Sequence, residues 1–165
     1  MIGALERLIS VVGRSVALLV PIMAVIVLLV VIMRYAFDLG SIALQESVMY
    51  MHSAFFMLGL AYALQTDSHV RVDIIYSRLS DSTKRWINLC GHALFLIPLA
   101  IVLIVYSWDY VVASWRVQEG SPEVGGVPAI YLLKSIIPIS ACLLILQALC
   151  EITRLTLDHV RPSGD

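Results

Sequence analysis

Apolar and polar positions along this chain fall into blocks. Four long apolar runs are separated by short stretches that hold nearly all the charge. The first is uncharged from Ser15 to Met33, between Arg14 and Arg34; the second runs from Ser47 to Leu64, opened by Glu46. The third spans Ile87 to Ser107 between Trp86 and Trp108, and stays largely apolar as far as Trp115. The fourth is uncharged from Ser135 to Cys150 and is extended upstream by Ile130, Tyr131, Leu132 and Leu133. Each run is long enough to cross a hydrocarbon core of roughly 30 Å as a helix. Hydrocarbon offers no partner to backbone N–H and C=O groups, so a lipid-exposed segment must satisfy them internally. The pattern predicts an all-α integral membrane protein, one domain over residues 1–165, with transmembrane helices near 12–34, 46–65, 86–110 and 130–151.

The flanks refine these elements. Arg7 and Arg14 before the first run give it the look of a signal peptide, but a secretory apolar region is shorter and ends at a small-residue cleavage site. This run ends at Arg34-Tyr35, so a retained helix is expected. Leu5, Leu8, Ile9 and Val12 follow helical spacing, which places its start upstream of Arg14. Pro21 removes a backbone donor within it and favours a kink. A helix from Trp86 to Trp115 would be about 45 Å long at ~1.5 Å per residue. It must therefore tilt, kink at Pro98 or project into water. In the connection from Asp67 to Arg85, Val72, Ile75 and Leu79 share one helical face, with Asp73 and Arg78 off it. That fits either an interfacial amphipathic helix or an exposed connector. The stretch Gly120–Pro128 is too rich in glycine and proline to be regular and predicts a shaped loop.

Composition agrees with a membrane chain: 60% of residues are hydrophobic and 14% charged, with mean hydropathy +0.91, whereas soluble domains carry charge at about a quarter of positions. A net charge of −1 argues against nucleic acid as a partner, since that requires a basic face. Cys90, Cys142 and Cys150 lie inside apolar runs without a CxxC, so they read as small hydrophobes. Eight of the eleven Lys and Arg residues fall in the N-terminal tail, the second connection and the C-terminal tail. Basic residues favour the cytoplasmic side, so both termini are expected there. Tyr35, Tyr50, Tyr106, Trp108, Tyr110 and Trp115 then form an aromatic belt on the outer side, with Trp86 and Tyr76 on the inner.

Candidate chemistry is sparse. His52 and His92 invite a haem reading, but their helical positions separate them by roughly 13 Å along the membrane normal, too far for two ligands of one iron. No acid lies at mid-membrane, where a proton-coupled carrier would place one. There is also no pair of broken half-helices aimed at a central site. No catalytic set and no cofactor site are expected. Arg34, Glu46, Asp109 and Lys134 sit at the outer ends of the runs. Arg34 and Glu46 either pair between the first two helices or reach the interface separately. Gly59 and Ala63, with His52 and Phe56 on the same face, form a small-residue strip suited to close helix packing. In the outer loop, the acidic Glu119 and Glu123 either help to dock a soluble partner or belong to a passive connection.

Read together, these residues resemble the small membrane subunit of tripartite ATP-independent periplasmic (TRAP) transporters. The resemblance rests on Arg34 closing the first helix and Glu46 opening the second. It continues with Gly59-Leu60-Ala61-Tyr62-Ala63-Leu64 leading into His69-Val70-Arg71-Val72-Asp73. Gly126-Val127-Pro128, Lys134, Ile137-Pro138 and Gln147 complete it. It covers nearly the whole chain, and the HVRVD exit is its most specific piece. It implies a bacterial inner-membrane complex with a large many-helix membrane subunit and a periplasmic substrate-binding protein. The small subunit would brace the static scaffold while the large one carries substrate, commonly an organic acid, in uptake driven by an ion gradient. The rival readings are a free-standing four-helix carrier and a cytochrome b-like redox subunit. The first lacks an intramembrane charge, and the second lacks histidines at matching depth.

Overall fold

The computed structural model describes residues 2–68 and 79–160, and every regular element among them is helical. In chain order these are α1 (Ile2–Ala17), α2 (Leu19–Phe37), α3 (Ile42–Gln65), α4 (Asp81–Cys90), a π-helical stretch (Gly91–Leu96), α5 (Ile97–Arg116) and α6 (Ile130–Val160). They combine into four helices long and apolar enough to cross a membrane: Ile2–Phe37, Ile42–Gln65, Ser82–Arg116 and Ile130–Leu157. The chain is an all-α, four-helix membrane protein. The interfacial helix expected around Val72 and Ile75 lies outside the described residues.

Pro21 and Pro98 act one turn upstream of themselves, whereas α6 runs unbroken through Pro138. Pro21 has no N–H, and its ring crowds the carbonyl of Ala17. The helix is interrupted there: α1 stops at Ala17, and Leu18 makes a tighter turn, donating to Ser15 O at 3.2 Å. Pro98 likewise crowds the carbonyl of Leu94. Here the ladder widens into π register, and Ile97 N–H reaches back five residues to His92 O. The 35 residues from Ser82 to Arg116 thus form one helical rod longer than the bilayer core. Ser80 starts it, its Oγ accepting from Thr83 N–H at 3.3 Å. At the end of α3, Asp67 adopts a left-handed φ of 54°. Asp67 N–H then bonds Leu64 O at 3.2 Å and Ser68 N–H bonds Ala63 O at 2.9 Å. This paired closure satisfies the last carbonyls of the helix.

The first helix begins well before residue 12 because its N-terminal half has a surface to bury. Ile9, Gly13 and Val16, spaced one turn apart, face inward. α3 is the central mast, packing against α1, α2 and α6; α6 also packs against α5. Ile9, Ala61 and Leu144 form the apolar centre, with Leu60, Tyr62, Leu64, Leu96 and Leu143 around it. A polar fastener lies beside it: Gln65 Oε1 accepts from Ser10 Oγ at 2.9 Å, and Gln65 Nε2 donates to Glu6 O at 2.9 Å. Gln147 is fully buried in α6 and donates through Nε2 to Glu151 at 2.9 Å. By contrast, α2 buries none of its residues.

Within this chain the close helix approach is at Gly13, and the strip at Gly59 is left open. A Cβ on Gly59 would meet nothing within 4 Å, whereas one on Gly13 would fall inside the Cβ and Cγ of Tyr62. Gly59 and Ala63 instead line an open apolar groove of about 360 Å³ with Gly13, Val16, Ala17 and Phe55. Gly13→Ala should therefore lower the melting temperature in detergent, at a cost of roughly 1–3 kcal/mol typical of overpacking. Gly59→Ala should not lower it. Equal melting temperatures for the two variants would contradict this packing.

Candidate functional site

At the end of the bundle opposite the chain termini, the loop from Val117 to Ala129 folds back onto α3 and α6. The loop leaves α5 through a left-handed residue, Gln118, with φ 48°. Gln118 N–H bonds Trp115 O at 3.2 Å and Glu119 N–H bonds Ser114 O at 3.1 Å, the same paired closure that ends α3. The loop returns to α6 with Ile130 N–H donating to Glu119 O at 3.0 Å. In between, Ser121 N–H donates to Val127 O at 3.2 Å, and Gly126 N–H to Glu123 O at 3.0 Å around Gly125, whose φ is 82°. The loop is thus closed on itself by its own backbone.

Two carboxylates tie it to the helices. Glu46, one turn into α3, accepts from Ser121 Oγ through one oxygen and from Val127 N–H at 2.6 Å through the other. Gly126 fits because it lacks a side chain. A Cβ there would press on Ser121 and stand 2.7 Å from Glu46 Oε2. Glu119 accepts from Lys134 Nζ of α6 at 2.5 Å. That ammonium also sits over the ring of Tyr110 in α5, 3.9 Å from its centroid, where the ring face attracts a cation. Trp115 closes the same corner, its Nε1 donating to Ser135 Oγ at 2.8 Å and its ring lying edge-on to Tyr131 at 4.6 Å. The Lys134 hydrogen bond is the main reason that the Glu119 carboxyl is held below its usual range. Projecting from this anchored base, Glu123 is exposed and Val124 is 93% exposed.

The expected site residues divide accordingly. Glu46, Glu119 and Lys134 converge on the loop, while Glu123, within the loop, is exposed. The ion pair between Arg34 and Glu46 does not form, because the loop occupies both Glu46 oxygens and Arg34 is exposed in the last turn of α2. His52 is exposed on α3 and stacked on Phe56, with ring centroids 6.4 Å apart. His69, Arg71 and Asp73 lie outside the described residues, as does Tyr76. Of the aromatic belt, Tyr35, Tyr106, Trp108, Tyr110 and Trp115 are exposed. Tyr50 differs, its hydroxyl being buried without a hydrogen-bond partner among the described residues. At the other end, a second cavity of about 280 Å³ is lined by Gln65, Asp67, Asn88, His92, Glu151 and Arg154. Sequence reasoning missed Ser121, Gly126 and Val127 as the partners of Glu46, and Gly13 as the contact glycine. The Gly125-Gly126 pair was a signal for a tight backbone approach.

Comparison with known families finds a match over residues 23–158 to the family described as Tripartite ATP-independent periplasmic transporters, DctQ component. A search of curated proteins finds none that matches. The matched region contains α3, the loop and its anchors, and the first 29 residues of α6.

The lowered Glu119 value has a consequence for stability. A carboxyl whose folded value lies below its unfolded one stabilises the fold above the ordinary range, and that contribution disappears as pH falls through the lowered value. Acidification from about pH 5 toward about pH 3 should therefore lower the melting temperature of the wild-type chain more than that of Glu119→Gln. Parallel pH profiles for the two proteins would show that the pair contributes nothing.

Proposed function

Because the chain belongs to the DctQ family of tripartite ATP-independent periplasmic transporters, we propose that it acts as the small membrane subunit that braces the large membrane subunit. The bracing would accompany ion-gradient-driven uptake of an organic acid delivered by a periplasmic binding protein. The family match carries this reading. It is supported by the distribution of apolar surface: α2 buries none of its residues, and Val25 and Leu28 are more than half exposed. The groove beside Gly59 is apolar and has small residues on both walls. Lipid and protein are equally apolar to such a surface, so membrane helices associate by shape, and small residues let backbones approach. In this reading a helix of the large subunit lies along Gly59 and Ala63, and the four-helix unit serves as static scaffold.

Orientation follows from the basic residues. The end bearing both chain termini faces the cytoplasm of a bacterium with this chain in its inner membrane, and the anchored loop faces the periplasm. The binding protein then meets the small subunit at the loop. Glu119 is committed to Lys134, which leaves Glu123 as the acidic group free to face a soluble partner.

Affinity purification of the tagged chain from native membranes should bring down a many-span membrane protein. The chain alone in liposomes should take up no organic acid. Gly59→Leu should reduce recovery of the complex, while Gly59→Ala preserves it. Ion-driven uptake by the single chain would refute the accessory role. In reconstituted complex, Glu123→Lys should slow uptake when binding protein is limiting and leave complex yield intact. Unchanged uptake under that limitation would remove the loop from docking.

A further inference from the structure

We propose that Glu46 is a positioning residue for docking: from within the membrane domain it sets the shape in which the loop presents Glu123 and Val124. This rests on the reading above that the loop meets the binding protein. Glu46 itself is half-buried behind the loop and need not touch that partner. Its two oxygens take the two donors, Ser121 Oγ and Val127 N–H, that flank the loop tip in sequence. Ser121 Oγ in turn accepts from Glu123 N–H at 3.1 Å. A chain of hydrogen bonds therefore runs from α3 to the backbone of the exposed acid. Gly126 closes the arrangement, since any side chain there would displace both Ser121 and the carboxylate.

The chemistry suits this task. A carboxylate accepts through both oxygens and binds donors more strongly than a neutral oxygen does. α3 packs against α1, α2 and α6, so a loop fastened to it inherits a fixed reference. Pinning the tip in advance reduces the ordering that a partner would otherwise have to impose on binding, which is a gain in affinity without any new contact. The Lys134–Glu119 pair fixes only the base of the loop, where it joins α5 and α6. Glu46 alone of the two carboxylates reaches both sides of the tip.

The test uses the purified complex in liposomes, with the partner binding protein purified from the same cells as the probe. Glu46→Ala should speed hydrogen–deuterium exchange across residues 119–129. It should also raise the concentration of binding protein giving half-maximal uptake by about tenfold, the scale of one lost charge-assisted hydrogen bond. Maximal rate and complex yield should hold. Gly126→Ala reaches the same contact from the loop side and should reproduce the effect with Glu46 intact. Glu46→Gln should restore most of the wild-type behaviour, because its amide oxygen can accept from Val127 while its NH2 donates to a reoriented Ser121 hydroxyl.

Unchanged exchange in Glu46→Ala overturns the inference. Faster exchange with unchanged half-saturation, while Glu123→Lys still shifts it, overturns positioning and leaves docking standing. If neither variant shifts half-saturation, docking at the loop is wrong and positioning falls with it. A parallel loss of maximal rate and complex yield would assign Glu46 to holding the bundle together, which also overturns the inference.

Discussion

A chain in hydrocarbon cannot be held together by hiding apolar surface from water, because no water is there to hide it from. This constraint explains where contacts are found in the bundle. Backbone groups are closed within helices, and where a proline breaks the ladder the helix changes register locally, at Leu18 and at Gly91–Leu96. Cohesion between helices then falls to shape and to polar fasteners. Shape is supplied by Gly13 against Tyr62. The fasteners sit near the ends of the mast, Gln65 joining α3 to α1 and Glu46 joining α3 to the loop. Between them the outward surface stays apolar and uncommitted, as a subunit embedded in lipid or in a larger partner requires.

The architecture was legible in the sequence because hydropathy blocks and the backbone constraint act residue by residue. Four runs became four spans, and Pro21 and Pro98 each altered a helix just upstream. Span limits were less legible. The spacing of Leu5, Leu8, Ile9 and Val12 put the start of α1 upstream of Arg14, but that it reaches Ile2 depends on the burial of Ile9 and Val16, which is a tertiary fact. Partnerships were least legible of all. Arg34 and Glu46 look like natural partners across a short turn, yet the carboxylate is satisfied by a loop about 80 residues away. Glycine shows the same limit: Gly59 sits in a more obvious motif than Gly13, but only the three-dimensional neighbour reveals which one a side chain would obstruct.

The functional reading combines two kinds of support. Family membership gives the system to which the chain belongs. The geometry suggests a division of labour within it: an apolar flank and groove for a membrane partner, and an anchored loop for a soluble one. Glu46 joins the two, since the helix that lines the groove also carries the residue that fixes the loop.

The proposed role makes this chain one side of a membrane complex, with the groove along α3 filled by a partner helix. A photo-crosslinking amino acid in place of Phe56, which lines that groove and is exposed, tests it in native membranes. A light-dependent adduct with a many-span membrane protein is expected there, absent when the same group replaces Leu94 on α5's side of the bundle. Adducts with lipid alone at Phe56 would contradict it.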